Sequence, residues 1–146
     1  MYIPYNAYKM RDSAVCPDEK SETKSYLNPD CMRWELHRVW VVEATVKPGK
    51  RHVYPRRVLY WDEDLWSVGV GDAYDSTGKI YRVTHSIPLS FYETTGHMTD
   101  EWVTYDLATG AYTRQQNSTM YGGWEVIKPP ASGFFTQGAL SGGGIR

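Results

Sequence analysis

Leu36-His37-Arg38-Val39-Trp40-Val41-Val42-Glu43-Ala44-Thr45 runs into Lys47-Pro48-Gly49-Lys50 and returns through Val53 to Arg57-Val58-Leu59-Tyr60-Trp61. Bulky β-branched and aromatic residues on both sides of a Pro-Gly pair form the pattern of a β-hairpin. Two more turn signals follow between alternating runs, Asp62-Glu63-Asp64-Leu65 and Asp75-Ser76-Thr77-Gly78. A fourth, Asp106-Leu107-Ala108-Thr109-Gly110, comes after a looser segment. The spacing predicts strands of about ten residues, roughly 33 Å each. Helical periodicity is weak throughout. The expected fold is all-β with little helix: a curved antiparallel meander that forms part of an open barrel. Residues 1–30 read as an extended or loop segment, 31–128 as the sheet domain, and 129–146 as a Gly/Pro-rich tail with one short helical turn near Phe134 to Leu140.

Closing the hairpins on Pro48-Gly49, Glu63-Asp64 and Ser76-Thr77 sets Trp40 opposite Arg57, Leu59 opposite Val68, and Val70 opposite Val83. One side of the sheet then carries Leu36, Trp40, Val42, Ala44, Val53, Leu59, Trp61, Trp66, Val68, Val70, Tyr81, Val83, Ile87 and Leu89. A slip of one residue in any hairpin would break this stripe. Each such side chain is worth roughly 1.5–3 kcal/mol when fully buried, so the face calls for a covering layer or an apolar ligand. No amphipathic helix is visible to cover it. The opposite side carries Glu35, His37, Glu43, His52, Arg56, Ser67, Arg82 and Thr84, with Gly69, Gly71 and Ala73 leaving a shallow trough.

Composition narrows the function. The 146 residues hold 16 Lys and Arg against 17 Asp and Glu, a net charge of −1 that argues against bulk electrostatic binding of nucleic acid. Mean hydropathy is −0.55, and no stretch approaches the roughly 20 apolar residues of a membrane helix. Catalytic motifs are absent: there is no GxSxG, no Walker loop, and no GxGxxG between a strand and a helix. His37, His52, His85 and His97 lack the spacing of a zinc site, and no metal or cofactor is expected. Asp62-Glu63-Asp64 reads as a solvated turn rather than a calcium loop. Glu35 and His37, two apart, could pair as acid and base, yet nothing else in the sequence converges on them. Cys16 and Cys31 could be bridged or free.

The expected site is therefore a binding surface. Trp40, Leu59, Trp61, Trp66, Val68, Val70, Val83 and Ile87 line an apolar trough, and Arg38, Arg57, Asp72 and His85 interrupt it. One reading pairs Arg57 with Asp72, sets Arg38 at the rim, and makes His85 a satisfied core histidine. The other has Arg38 and His85 receiving the polar head of an amphiphile.

Several ordered runs carry a family resemblance. They are Met1 to Lys9, Asn28-Pro29-Asp30, Met32 through Thr45, and Lys47 through Tyr54, followed by Arg57, Tyr60, Asp62-Glu63-Asp64 and Trp66. Asp72, Tyr74-Asp75, Gly78, Tyr81-Arg82-Val83, Tyr105-Asp106-Leu107, Gly110 and Tyr112 extend them. The chain resembles the C-terminal portion of the DUF1329 family, signal-bearing proteins of Gram-negative bacteria described as outer-membrane-lipoprotein-sorting-like. The resemblance implies a lipoprotein-carrier-like half-barrel sheltering acyl chains, a periplasmic setting, and a membrane transport partner. No catalytic residues are established for the family. Its members are longer, carry an aliphatic residue at the position of Cys31, and end in a basic tail, so this chain, which shows no export signal, is expected to be a fragment. The expected function is a non-enzymatic periplasmic binding or carrier protein for lipid-like cargo, not membrane-spanning. The alternative is an interaction module whose apolar face packs on a missing N-terminal half or a partner subunit. A hydrolase using Glu35 and His37 ranks last.

Overall fold

The computed structural model describes residues 1–94, 96–115 and 125–143. Residues 95 and 116–124 of the expected sheet domain, and 144–146 of the tail, lie outside the described residues. An N-terminal segment holds β1 (Tyr2–Pro4), α1 (Tyr8–Arg11), α2 (Asp18–Ser21), a 3-10 turn (Pro29–Cys31) and β2 (Trp34–Leu36). A six-stranded meander follows: β3 (Val39–Thr45), β4 (Arg56–Asp62), β5 (Val68–Tyr74), β6 (Ile80–Phe91), β7 (Gly96–Asp106) and β8 (Ala111–Gln115). The helix α3 (Gln137–Gly143) lies in the tail. Neighbouring strands of the meander are all antiparallel and in sequence order, and among the described residues β3 and β8 remain edges, so the sheet is not closed. The all-β meander is as expected.

Turn chemistry explains the hairpins. Asp75 accepts from the Thr77 and Lys79 amides at 2.8 and 3.1 Å, and Gly78 takes φ +82° where a side chain would strain. The first connection is looser. Lys50 N–H bonds Lys47 O at 3.0 Å, but the strands begin to pair only at Thr45 and Arg56. Trp40 therefore faces Trp61 rather than Arg57, an offset of four residues. An even offset keeps the same side chains on the same face. The second connection also runs longer than two residues, with Trp61 opposite Val68. That offset is even as well, so Trp40, Val42, Ala44, Leu59, Trp61 and Val68 do share one face.

The single wall ends there. The pairing steps from Trp61–Val68 to Tyr60–Val70, leaving Gly69 as an extra residue in a β-bulge. One extra residue reverses every later side chain. Leu59 now faces Gly71, and β6 follows β5, with Val70 opposite His85 and Asp72 opposite Val83. Val70, Asp72, Val83, His85 and Ile87 thus lie on the side away from Trp40 and Trp61. The expectation of a common wall is corrected at this point in the chain.

The N-terminal segment covers the second side. Ala7, Met10, Cys16, Leu27, Cys31 and Met32 pack with Ile87, Leu89 and Val103 in one core. Cys16 and Cys31 form a disulfide across a separation of 15 residues, and both are buried. Polar groups fasten the same layer. Buried Glu101 of β7 takes a two-pronged hydrogen bond from Arg114 of β8, and the Arg11 guanidinium lies 3.3 Å from it. Arg114 also reaches Glu22 at 3.0 Å. Removing one member of such a buried set costs about 3–5 kcal/mol, because the remaining charge is stranded. The covering layer that periodicity did not reveal is a stretch read as polar loop.

A Cβ on Gly69 would stand 3.2 Å from Ile3 Cγ2, and Ile3 is wholly buried. Gly69→Ala is expected to lower stability by about 1–3 kcal/mol in urea denaturation. Reducing the disulfide, or replacing Cys31 by Ser, is expected to remove about 2–4 kcal/mol in the same measurement.

Candidate functional site

Two cavities flank the sheet, one on each side. The first is a trough of about 550 Å³ along β4 to β8. The registers arrange its walls in rows across the strands. One row runs Arg57, Ala73, Arg82, Asp106; the next runs Leu59, Gly71, Thr84, Thr104, Thr113. Beyond them Val68, Trp102 and Gln115 close the lining. Successive rows are two residues apart, about 6.6 Å along a strand. The trough is therefore cationic at one end and apolar at the other. Gly71 makes the floor shallow: a Cβ there would meet Leu59 Cδ2 at 3.2 Å.

The two arginines of the cationic row differ. Arg82 donates to Tyr54 Oη at 2.7 Å and to Asp106 at 3.3 Å. Arg57 forms no ion pair among the described residues. Its nearest polar contact is His52 Nε2 at 3.5 Å, and its guanidinium sits 5.9 Å from the Tyr54 ring centre. The expected Arg57–Asp72 bridge does not form, because the bulge puts the two side chains on opposite faces. Asp72 instead accepts from Tyr60 Oη at 3.2 Å.

The second cavity, about 410 Å³, lies between the sheet and its N-terminal cover. Tyr26, Leu27, Met32 and Trp34 face Val70, Val83, His85 and Tyr105 across it. His85 is 5% exposed, with Nε2 3.1 Å from Tyr105 Oη and its ring 6.2 Å from that of Trp34. Burial pushes its pKa below the usual histidine value. Nδ1 lies 3.4 Å from Ser86 O, so both ring nitrogens have a partner within the protein.

The structure thus divides the expected site residues. Arg57, Leu59 and Val68 line the trough, Asp72 borders it while its carboxylate bonds Tyr60, and Trp40 and Trp61 share the trough's face. Val70, Val83 and His85 line the second cavity, and Ile87 is in the core. Trp66 stands in the β4–β5 loop at φ +49°, 76% exposed, and lines neither cavity. Arg38 is exposed and paired with Glu63, whereas His85 is buried. Tyr54, Arg82, Trp102 and the threonine row were not expected in the lining. The repeated small residues Gly71 and Ala73 did signal a trough, on the face then assigned as polar. A separate group, His37 with Asp62 and Asp64, has donor atoms within 4.8 Å of one another. The hairpin-tip acids and the histidine, unconnected in the sequence reading, meet there.

The model of the family described as "Protein of unknown function (DUF1329)" matches residues 1–141. The chain belongs to the DUF1329 family. It is 40% identical over 112 residues to an uncharacterised protein of Pseudomonas aeruginosa, covering 77% of this chain. The match spans 24% of that relative's length. A DUF1329 family structure from Desulfovibrio piger is similar with a TM-score of 0.45 and 19% identity, over 52% of this chain and 31% of that one. A domain described as an outer membrane lipoprotein-sorting protein, from Vibrio parahaemolyticus, gives 0.44 and 17%, over 52% and 32%. Among the described residues no helix is long and apolar enough to cross a membrane.

The lowered pKa of His85 has a pH consequence. Below the unfolded value of about 6.5 the unfolded chain takes up a proton that the native chain refuses, so the histidine destabilises the fold as pH falls. The loss levels off once pH passes below the native pKa. Denaturation midpoints measured between pH 8 and 5 are expected to show this decline, and His85→Gln is expected to flatten it while lowering stability throughout.

Proposed function

We propose that the chain is a non-enzymatic binding module for amphiphilic cargo with an anionic head, seated in the trough on the open face. The observation that carries this reading is Arg57, a cation with no carboxylate partner among the described residues, at the end of an apolar, small-residue floor. An anionic head would pair with Arg57, and the tail would lie over Leu59 and Gly71 toward Val68 and Trp102. Arg82, held by Tyr54 and Asp106, flanks the head position. Of the residues expected to bind ligand, Arg57, Leu59 and Val68 stay in this proposal, with Trp40 and Trp61 as an extension of the same face. The buried Cys16–Cys31 disulfide fits an oxidising compartment, and a periplasmic setting is proposed on that ground and on the family resemblance.

A second reading rests on a different observation. Trp40 is 61% exposed and Val42 44% exposed on the β3 edge, beside the trough. The chain spans 24% of its Pseudomonas relative, so this face could pack on another part of a longer protein. Titration with a fluorescent fatty acid separates the two. Saturable binding that weakens at least tenfold (about 1.4 kcal/mol) in Arg57→Glu is expected for the cargo reading. Absence of binding, with concentration-dependent self-association in analytical ultracentrifugation, would replace it with the interface reading.

A further inference from the structure

We propose that His37, Asp62 and Asp64 bind one divalent transition-metal ion of the zinc class. This inference is independent of the trough and its cargo. His37 lies in the short link between β2 and β3, Asp62 ends β4, and Asp64 sits in the loop to β5. Pairing of Val39 with Asp62 brings the link beside the loop.

The distances suit an ion. His37 Nδ1 is 3.2 Å from Asp62 Oδ1 and from Oδ2, and 3.3 Å from Asp64 Oδ2. Zinc bonds to nitrogen and oxygen of about 2.0–2.2 Å hold neighbouring ligand atoms roughly 3–3.5 Å apart. Burial adds an independent reason. The Asp62 side chain is wholly buried, and its Oδ2, turned toward His37, accepts no hydrogen bond among the described residues. Such an oxygen is costly without a partner. Asp62 Oδ1 accepts from the Asp64 backbone N–H at 2.9 Å, so one Nδ1–H is left for Asp62 Oδ2 and Asp64 Oδ2, whereas a cation with neutral imidazole can engage both carboxylates.

Charge points the same way. Arg33 pairs with Glu35, and Arg38 pairs with Glu63. Among the described residues, Asp62 and Asp64 pair with no cation other than His37, and their two negative charges match a divalent ion. Behind the histidine, Glu35 Oε2 lies 3.7 Å from Nε2, and its other oxygen is held by Arg33 Nε at 2.8 Å. A carboxylate behind the second ring nitrogen is the usual support of a metal-bound imidazole. One imidazole and two carboxylates favour zinc over calcium, which takes six to eight oxygens. Since the Asp64 side chain is 73% exposed, a fourth position is open to solvent on its side. The bound ion would tie the β1–β2 sheet and its connection to the tip of the β4–β5 hairpin.

The test is titration of the metal-free full chain with zinc sulfate against a chromophoric zinc chelator. One equivalent per chain is expected, unaffected by excess calcium, with a rise in Tm. Asp64→Asn changes an exposed side chain and should fold normally; it is expected to weaken binding at least tenfold and abolish the rise in Tm. Glu35→Gln is expected to weaken binding about 10–100-fold, as for other supporting carboxylates. No stoichiometric binding, or binding unchanged in both Asp64→Asn and His37→Gln, would overturn the proposal and assign any zinc taken up to other surface histidines.

Discussion

The fold turns on one extra residue, Gly69, opposite the step from Tyr60 to Trp61. Side chains alternate across a strand with period two, so a single unpaired residue exchanges the faces of everything that follows it. Up to Val68, the apolar stripe of Trp40, Val42, Leu59 and Trp61 points one way. Val70, Val83, His85 and Ile87 point the other. A buried Ile3 lies against the hydrogen-only side of Gly69, at a distance that a methyl group would crowd. The bulge and the docking of β1 therefore depend on the same glycine.

This exchange divides the sheet's work. The second face receives Val70, Val83, His85, Ile87 and Val103 and is covered by the N-terminal segment. That segment has little regular structure of its own. It is held by burial of Ile3, Leu27, Cys31 and Met32, by a disulfide, and by the Arg114–Glu101 pair with Arg11 beside it. The first face keeps Gly71, Ala73 and the threonine row, which are too small or too polar to build a core. With Leu59 and Trp102 beside them and Arg57 at one end, they make a shallow apolar floor with a charged margin.

The bulge was partly written in the residues. A glycine inside an alternating run marks a bulge or a close approach, and Gly69-Val70-Gly71 offered both. What could not be read was which glycine took which role. Gly69 carries the bulge and admits Ile3; Gly71 stays in register and forms the trough floor. The two loop lengths were also misjudged, but by even numbers, which cost nothing in facing. The disulfide was open in the sequence because residues 11–30 show no periodicity that would bring Cys16 to Cys31. The cluster around His37 was hidden for a similar reason: Asp62 and Asp64 are some 25 residues from it, and only the β3–β4 pairing joins them.

Turn chemistry and alternation in the sequence alone determined an antiparallel meander, because Gly78 and Asp75 specify their turn locally and β-branched runs have no competing helical period. They also determined that Trp40, Leu59, Trp61 and Val68 share a face, because even errors of register preserve parity. Only the tertiary structure decided where that face ends, what covers the other one, and that Arg57 and Asp72 are separated. Those outcomes depend on one odd residue and on contacts between distant segments, and neither is expressed in the local pattern of the chain.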